Sequence, residues 1–456
     1  MNIVIVGDGK VGYTLSEQLN REGHDITIID NNAGILNSTL DTLDVMGIHG
    51  NGASMEVQME AGVQDADLLI AATSADELNM LCCLTGKHLG AKHTIARVRN
   101  PEYSAQLNML KEQFGLSMVI NPELEAAREI SRVIKFPPAL KVDTFSKGQV
   151  ELIEFKLKAN MPIVGKKLMD MPKLTSSKVL ICAVDRGGDV IIPSGGFVLE
   201  AGDHIHITGT NHEISSFLTQ IGQIKIRVRT LMVVGGGRIA YYLAKMLDLK
   251  AFQIKIIEKK RERCDELCEL LPRAVIIHGD GSETDLLDSE GIENADAFVA
   301  LTNMDEENLI MSMYANYKKV PKIITKTGRF NYMSIMENIG IESVVNPKMI
   351  TANQIIQYVR GMQNSVGQNN IVTLHKIVDG GAEAVEFVAT PDTKHLGICL
   401  DQLALKRNLL LAVIVRNNKV IIPHGQDTIE LGDSVVVLTN EHKLFHLNDI
   451  FKEYSV

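Results

Sequence analysis

Short continuous runs of Val, Ile and Leu alternate along the first 120 residues with stretches in which apolar side chains recur every three or four positions. A run of about five apolar residues suits a strand buried on both faces, and the longer period suits a helix lying on a sheet. The pattern predicts strands over 2–6, 25–29, 45–49, 67–71 and 94–98 and helices over 11–22, 33–41, 54–61 and 76–89. Neighbouring parallel strands need crossover helices, so this alternation predicts an α/β fold with a doubly wound parallel sheet. Asn121-Pro122 then opens a helix, because Pro suits the first helical position and Glu123 and Glu125 suit the positive end of the helix dipole. That helix is predicted to run to Lys135 and to stop at Pro137-Pro138. From Val142 to Gly222 the texture changes to β-runs over 151–157, 179–184, 190–192 and 204–208, with a hairpin turn at Asp185-Arg186-Gly187-Gly188-Asp189, which predicts a small α+β module.

The whole plan is then written a second time. IVIVGDGKVG, from Ile3 to Gly12, returns as LMVVGGGRIA, from Leu231 to Ala240. Asp30 closing ITIID meets Glu258 closing IKIIE, and His49-Gly50-Asn51-Gly52 meets His278-Gly279-Asp280-Gly281. Thr73-Ser74-Ala75-Asp76-Glu77 meets Thr302-Asn303-Met304-Asp305-Glu306, with Asn79 and Asn308 in step. Asn121-Pro122, Val190 to Pro193 and Glu200 to Asp203 recur as Asn346-Pro347, Val420 to Pro423 and Glu430 to Asp433. Ordered matches at a nearly constant offset indicate duplication. The expected division is a Rossmann-like domain over 1–121, a crossover helix and hinge over 122–141 and a small module over 142–225, then the same three parts over 228–346, 347–370 and 371–456. Within the last crossover, a helix from Pro347 to about Arg360 is predicted to give way to a polar linker over 362–370.

Composition narrows the chemistry. The 456 residues carry a formal net charge of −10, with 21 basic and 27 acidic side chains up to residue 227 and 25 and 29 after it. No half is a basic arm, which argues against a nucleic-acid binder and weakens the reading of a redox-responsive DNA-binding regulator. Apolar runs such as Leu409 to Val415 fall short of a bilayer span, and the N-terminus enters a strand with no signal-peptide pattern, so a cytoplasmic protein is expected. Six cysteines without a signal sequence point to reduced thiols used for packing; Cys264 and Cys268 are expected to share one helical face.

The candidate chemistry lies in the glycine loops. Gly7-x-Gly9-x-x-Gly12 stands between a predicted strand and helix, and Asp30 ends the next strand. In such a loop the first glycine allows the tight turn, the second lets the backbone approach a pyrophosphate, and the third packs helix on strand. Asp30 can accept from the adenosine ribose hydroxyls and would repel a 2′-phosphate, which favours NAD(H) or an adenine nucleotide over NADP(H). The second loop, Gly235-Gly236-Gly237-Arg238-Ile239-Ala240, ends in alanine and is paired with Glu258; it is either a second nucleotide site, vacant or altered in specificity. Arg238, like Lys10, is a phosphate contact or a solvated helix residue. Thr73-Ser74 and Thr302-Asn303, after the fourth strand, meet ribose or phosphate or cap the next helix. Arg97 and Lys326, after the fifth, neutralise a diphosphate or form surface ion pairs. His49 and His278 are expected to be structural or ligand-lining, and His204-x-His206, lacking a third ligand, is not expected to hold a metal. No general acid or base stands out, so no catalytic residue is assigned. An NAD-dependent oxidoreductase is the main alternative to a nucleotide sensor.

In combination, IVIVGDGKVG with ITIID, AATSADELNM, IARVRNP and VINPELEAAREI, together with the doubled plan, resemble the TrkA family, regulatory subunits of Trk-type potassium uptake built from tandem RCK N-terminal and C-terminal domains. The resemblance covers the whole chain. It implies a protein on the cytoplasmic face of the cell inner membrane, peripheral, bound to a membrane-embedded potassium-translocating subunit and controlling it through NAD(H) and ATP/ADP. It implies a homotetramer ring of eight RCK units, with no enzyme activity. Carried onto this chain, the first nucleotide site comprises Gly7, Asp8, Gly9, Lys10, Val11 and, from the motif, Gly12, with Asp30, Thr73, Ser74 and Arg97. The second comprises Gly235, Gly236, Gly237, Arg238, Ile239, Glu258, Thr302, Asn303 and Lys326. Ala240, Asn303 and Lys326 depart from the first copy, and lysine lacks the bidentate fork of arginine.

Overall fold

The computed structural model describes residues 1–104, 106–223, 228–247, 251–329, 336, 339–341, 343–365, 371–378, 381–441 and 444–452. The chain forms two compact units, one of residues 1–127 with 346–356, the other of 128–345 with 357–456.

The first unit is built on six strands, β1 (Asn2–Val6), β2 (Asp25–Asp30), β3 (Met46–His49), β4 (Leu68–Ala71), β5 (His93–Arg97) and β6 (Met118–Ile120), in the order β3-β2-β1-β4-β5-β6. Every pairing is parallel. β1 and β4 sit at the centre, where the chain crosses from one half of the sheet to the other, and all four residues of β4 are buried. This explains why they read as unbroken apolar runs. The reversal of strand order between β1 and β4 leaves a crevice beyond their carboxyl ends, the usual ligand position in open α/β sheets. The sixth strand, three residues long, carries too little pattern to be predicted.

The second unit holds three sheets. Strands β7 (Lys141–Phe145), β8 (Val150–Lys156), β9 (Leu180–Arg186), β10 (Asp189–Ile191) and β11 (His204–Gly209) form an antiparallel sheet in the order β10-β9-β11-β8-β7. The hairpin between β9 and β10 turns on Gly187 and Gly188 at φ +63° and +94°, as the turn sequence predicts. Thr210 caps a helix over Asn211–Gln220 by accepting the Glu213 N–H, a Thr-x-x-Glu signature that the β-rich texture masked. Next come β12 (Thr230–Val234), β13 (Gln253–Glu258), β14 (Val275–His278), β15 (Ala297–Ala300), β16 (Lys322–Lys326) and β17 (Ser343–Val345), parallel and ordered β14-β13-β12-β15-β16-β17. Finally β18 (Ile371–Ile377), β19 (Ala382–Val388), β20 (Leu409–Arg416), β21 (Lys419–Ile421) and β22 (Ser434–Thr439) give an antiparallel sheet ordered β18-β19-β22-β20-β21.

The duplication is therefore structural as well as sequential, with one revision. The helix after Asn346 runs from Pro347 to Ser365, so residues 362–365, expected as linker, are helical; the rest of that linker, 366–370, lies outside the described residues. Gly361 and the polar residues after it hid this extension, since helix propensity is easily overridden by packing.

The two antiparallel modules share a core. Phe145, Val150, Leu152, Cys182 and Ala183 of the first pack with Ile377, Ala384, Val413, Val436 and Leu438 of the second. A buried carboxylate fixes the register: Glu386 accepts the Ser146 N–H at 3.0 Å and the Ser146 hydroxyl at 2.7 Å. His375 adds contacts to the Thr144 carbonyl at 3.1 Å and Asp143 at 3.2 Å.

Candidate nucleotide-binding sites

Each glycine loop leads from the first strand of its parallel sheet into a helix, Lys10–Arg21 or Arg238–Met246. Gly7 and Gly235 stand at φ +98° and +100°, where a side chain is strained. A Cβ on Gly7 would also fall 2.9 Å from the Thr73 nitrogen, and one on Gly235 2.9 Å from the Leu301 carbonyl carbon. The loop thus lies against the turn after the fourth strand in both copies. A Cβ on Gly12 would come within 1.8 Å of the Gly7 carbonyl oxygen, so the helix closes tightly on the loop. The middle glycines differ: a Cβ on Gly9 or Gly237 would meet nothing within 4 Å. These two residues are the helix N-caps and carry no side-chain cap. The leading helical N–H groups, which have no acceptor within the helix, therefore face an open approach suited to an anion.

Beside each loop an acid is fixed by main chain. Asp30 accepts the Asp8 N–H on Oδ2 at 2.6 Å and the Asn32 N–H on Oδ1 at 2.7 Å. Glu258 does the same with Gly236 on Oε2 at 2.7 Å and Lys260 on Oε1 at 2.8 Å. Each carboxylate oxygen keeps a further lone pair for a ribose hydroxyl. Lys10 and Arg238 are exposed at the helix starts, whereas the Val11 and Ile239 side chains are buried, so these two offer only their backbone.

Thr73 and Thr302 do not cap the following helices, whose N-cap residues are Ala75 and Met304. Their hydroxyls donate instead to the buried amides of Asn79 at 2.7 Å and Asn308 at 2.8 Å. The Nδ2 groups of those asparagines reach the carbonyls of Arg97 at 2.9 Å and Lys326 at 3.0 Å. Asn79 and Asn308 thus tie the turn after the fourth strand to the end of the fifth, a positioning role that sequence reading left out although both recur in step. Arg97 directs Nη1 to the Ala72 carbonyl at 3.5 Å, and Lys326 directs Nζ to Asn303 Oδ1 at 3.3 Å. Both cations lean toward that turn. Ser74 offers its carbonyl to the Arg99 guanidinium. His49 and His278 contact the carbonyls of Asn31 and Lys259, each at 3.1 Å, and brace the segment after the acid.

Asp8 behaves differently from its neighbours in the loop. It is 2% exposed, with Thr39 of the helix Ala33–Leu40 beside its carboxyl, so it offers a nucleotide only its backbone. Burial raises its carboxyl pKa against the lowering effect of the Thr39 hydroxyl, and the nearby charge of Asp30 raises it further. At the same two places the second copy has Gly236 and Leu267. A carboxyl with a raised folded-state pKa stabilises fully below the ordinary carboxylate range, and that contribution is lost as pH rises through the raised value. Asp8→Asn should therefore gain stability over the native chain across that window and keep a constant gain above it, read as urea midpoints at a series of pH values.

The remaining candidates stay structural. His204 pairs with Glu154 at 3.1 Å, and among the described residues no cluster of three or more His, Cys, Asp or Glu is placed to hold a metal. Cys264 and Cys268 lie four residues apart on the helix Arg261–Leu270, sharing a face as expected, but only Cys264 is buried, so the packing expected of both holds for one. No described helix is long and apolar enough to cross a membrane.

A parallel sheet with a diphosphate-type glycine loop, followed by a small antiparallel module and then repeated, defines a tandem TrkA-N and TrkA-C protein. The TrkA-N domain family matches residues 3–122 and 231–347, and the TrkA-C domain family matches 152–222 and 384–452. The chain belongs to the family of Trk system potassium uptake protein TrkA. It is 33% identical to a TrkA homologue of Methanosarcina mazei over 99% of this chain and 100% of that one. It is 34% identical to the homologue of Archaeoglobus fulgidus over 99% and 100%, and 33% identical to TrkA of Halomonas elongata over 100% and 99%. In fold it is similar to the GsuK RCK domain, with a TM-score of 0.64 and 17% identity over 96% of this chain and 92% of that one. It is likewise similar to the GsuK channel bound to NAD, at 0.64 and 17% over 96% and 77%.

Proposed function

We propose that the chain is a non-enzymatic regulatory subunit that binds NAD(H) and ATP or ADP at its two glycine loops and thereby controls a membrane-embedded potassium-translocating partner. The observation that carries this reading is the repeated pairing of an open middle glycine with an acid locked beside it by two main-chain N–H bonds. The diphosphate would lie on Gly9-Lys10-Val11 and Gly237-Arg238-Ile239, the ribose on Asp30 and Glu258, and the far phosphates toward Thr73, Ser74 and Arg97 or Thr302, Asn303 and Lys326. Family membership and the names of the relatives support the potassium-transport role. The expected assembly is a homotetramer ring on the cytoplasmic face of the membrane, its domains divided as the repeat in the sequence divides them. Control follows if a nucleotide binds one arrangement of the ring better than another, with a typical coupling of about 1–3 kcal/mol.

Ligand that binds only the folded state adds RT ln(1 + [L]/Kd), about 2.7 kcal/mol at one hundred times Kd. Thermal unfolding of the purified chain should therefore shift upward with NADH and with ATP, while both are recovered unchanged. Steady oxidation of NADH with a small substrate would instead identify an oxidoreductase.

A further inference from the structure

The two sites differ most in the five residues after the acid. Asp30 is followed by Asn31, Asn32, Ala33, Gly34 and Ile35; Glu258 is followed by Lys259, Lys260, Arg261, Glu262 and Arg263. Two of the second set face other acids, Lys259 on Asp280 at 2.5 Å and Arg261 on Asp265 at 3.4 Å. Arg263 turns to the loop itself. Its Nε donates to the Gly236 carbonyl at 2.7 Å, while the N–H of the same glycine goes to Glu258 at 2.7 Å. The guanidinium and the carboxylate thus grip one loop residue through its two peptide groups, which sets a cation at the ribose edge of the second site. At the matching place in the first site stands Ile35, exposed and apolar, and Asp8 adds a buried carboxyl to that loop where the second has Gly236.

Both sites keep an acid that repels a phosphate on the ribose 2′ oxygen. Only the second sets an arginine on the same loop residue as its acid, supplying the opposing charge that accommodates such a phosphate. The other contact of Arg263, Nη1 to Glu266 at 2.6 Å, is with a side chain 56% exposed. Such a surface pair is weak enough for a phosphate to replace it with a stronger charge-assisted bond.

We propose that the second site accepts adenine dinucleotides phosphorylated at the ribose 2′ position, which the first site rejects, and that Arg263 sets the difference. This rests on the reading of both loops as nucleotide sites.

The test is calorimetric titration of the full chain with NAD+, NADP+ and ATP. NADP+ should bind at one site per chain. Arg263→Ile, which copies the first site, should weaken NADP+ by about 10- to 100-fold, the range of a hydrogen bond to a charged group. NAD+ and ATP carry no 2′-phosphate and should lose only what the missing bond to the Gly236 carbonyl costs the loop, a clearly smaller factor than the loss for NADP+. Arg263→Lys should restore part of the NADP+ affinity, because it keeps the charge without the fork. The proposal is overturned if NADP+ does not bind, binds both sites equally, or is indifferent to Arg263→Ile. It is also overturned if ATP falls in parallel with NADP+, which would make Arg263 a general phosphate contact. Absence of NAD+ and ATP binding as well would instead remove the nucleotide reading beneath it.

Discussion

Replacing Arg360 by alanine is expected to destabilise the second unit by about 3–5 kcal/mol, the usual result of stranding one member of a buried ion pair. Arg360 is 1% exposed. Its Nη1 and Nη2 meet the two oxygens of Glu383 at 2.7 and 2.9 Å in a parallel fork. The pair bonds the helix Pro347–Ser365 to β19, so its loss leaves a largely buried carboxylate without its partner. Urea unfolding of the full chain checks the loss, and Arg360→Met with Glu383→Met should recover much of it, since an apolar pair of similar volume is often neutral or stabilising. The first copy provides a control. There Lys135, exposed, and Glu151 hold the corresponding places, and the Glu151 carboxyl has its pKa raised by burial while Asn211 works against that shift. Lys135→Ala should cost under about 1 kcal/mol, as an exposed charge does.

Asp30→Ala should weaken nucleotide binding at the first site by roughly 10- to 150-fold, and Glu258→Ala should do the same only at the second. The sequence places Asp30 at an exposed strand end, where the change would leave the fold untouched. The structure adds a cost, because the same carboxylate accepts the N–H groups of Asp8 and Asn32. Alanine should therefore also lower stability, by about 1–3 kcal/mol for acceptors lost from partly buried donors. Asp30→Asn, which keeps one acceptor oxygen, should fall between the native chain and alanine in both readouts. Calorimetry with NADH and ATP on the single and double variants separates the sites, and losses that fail to add would show coupling between them.

Most of the architecture is legible in the sequence because its signals are redundant. Each central strand is an apolar run, each glycine loop recurs with its acid, and each crossover helix begins at Asn-Pro. What escapes is local or long-range. The strands Met118–Ile120 and Ser343–Val345 are too short to show a period. The shared core of the two antiparallel modules joins residues more than 200 positions apart, and nothing in either copy alone announces that Glu386 will receive Ser146. At the sites, glycines and acids are legible by type and spacing, but the direction of a side chain is not. Thr73 reads as a possible helix cap and is held by Asn79, and Asp8 reads as a loop contact and is buried beside Thr39. Such outcomes depend on neighbours from other strands, and a repeat exposes them only where the two copies differ, as Asp8 with Thr39 differs from Gly236 with Leu267.

The central claim is that nucleotide held at these loops sets potassium flux through a partner. Its most direct test is potassium-ion uptake into liposomes containing the Trk membrane subunit, with the native chain, Asp30→Ala, Glu258→Ala or the double variant added from the cytoplasmic side. The account predicts that NADH or ATP changes the flux supported by the native chain, that each single variant needs higher nucleotide to produce the change, and that the double variant no longer responds although it still binds the membrane subunit. A flux that is identical with and without nucleotide, or a double variant that responds as the native chain does, would contradict it.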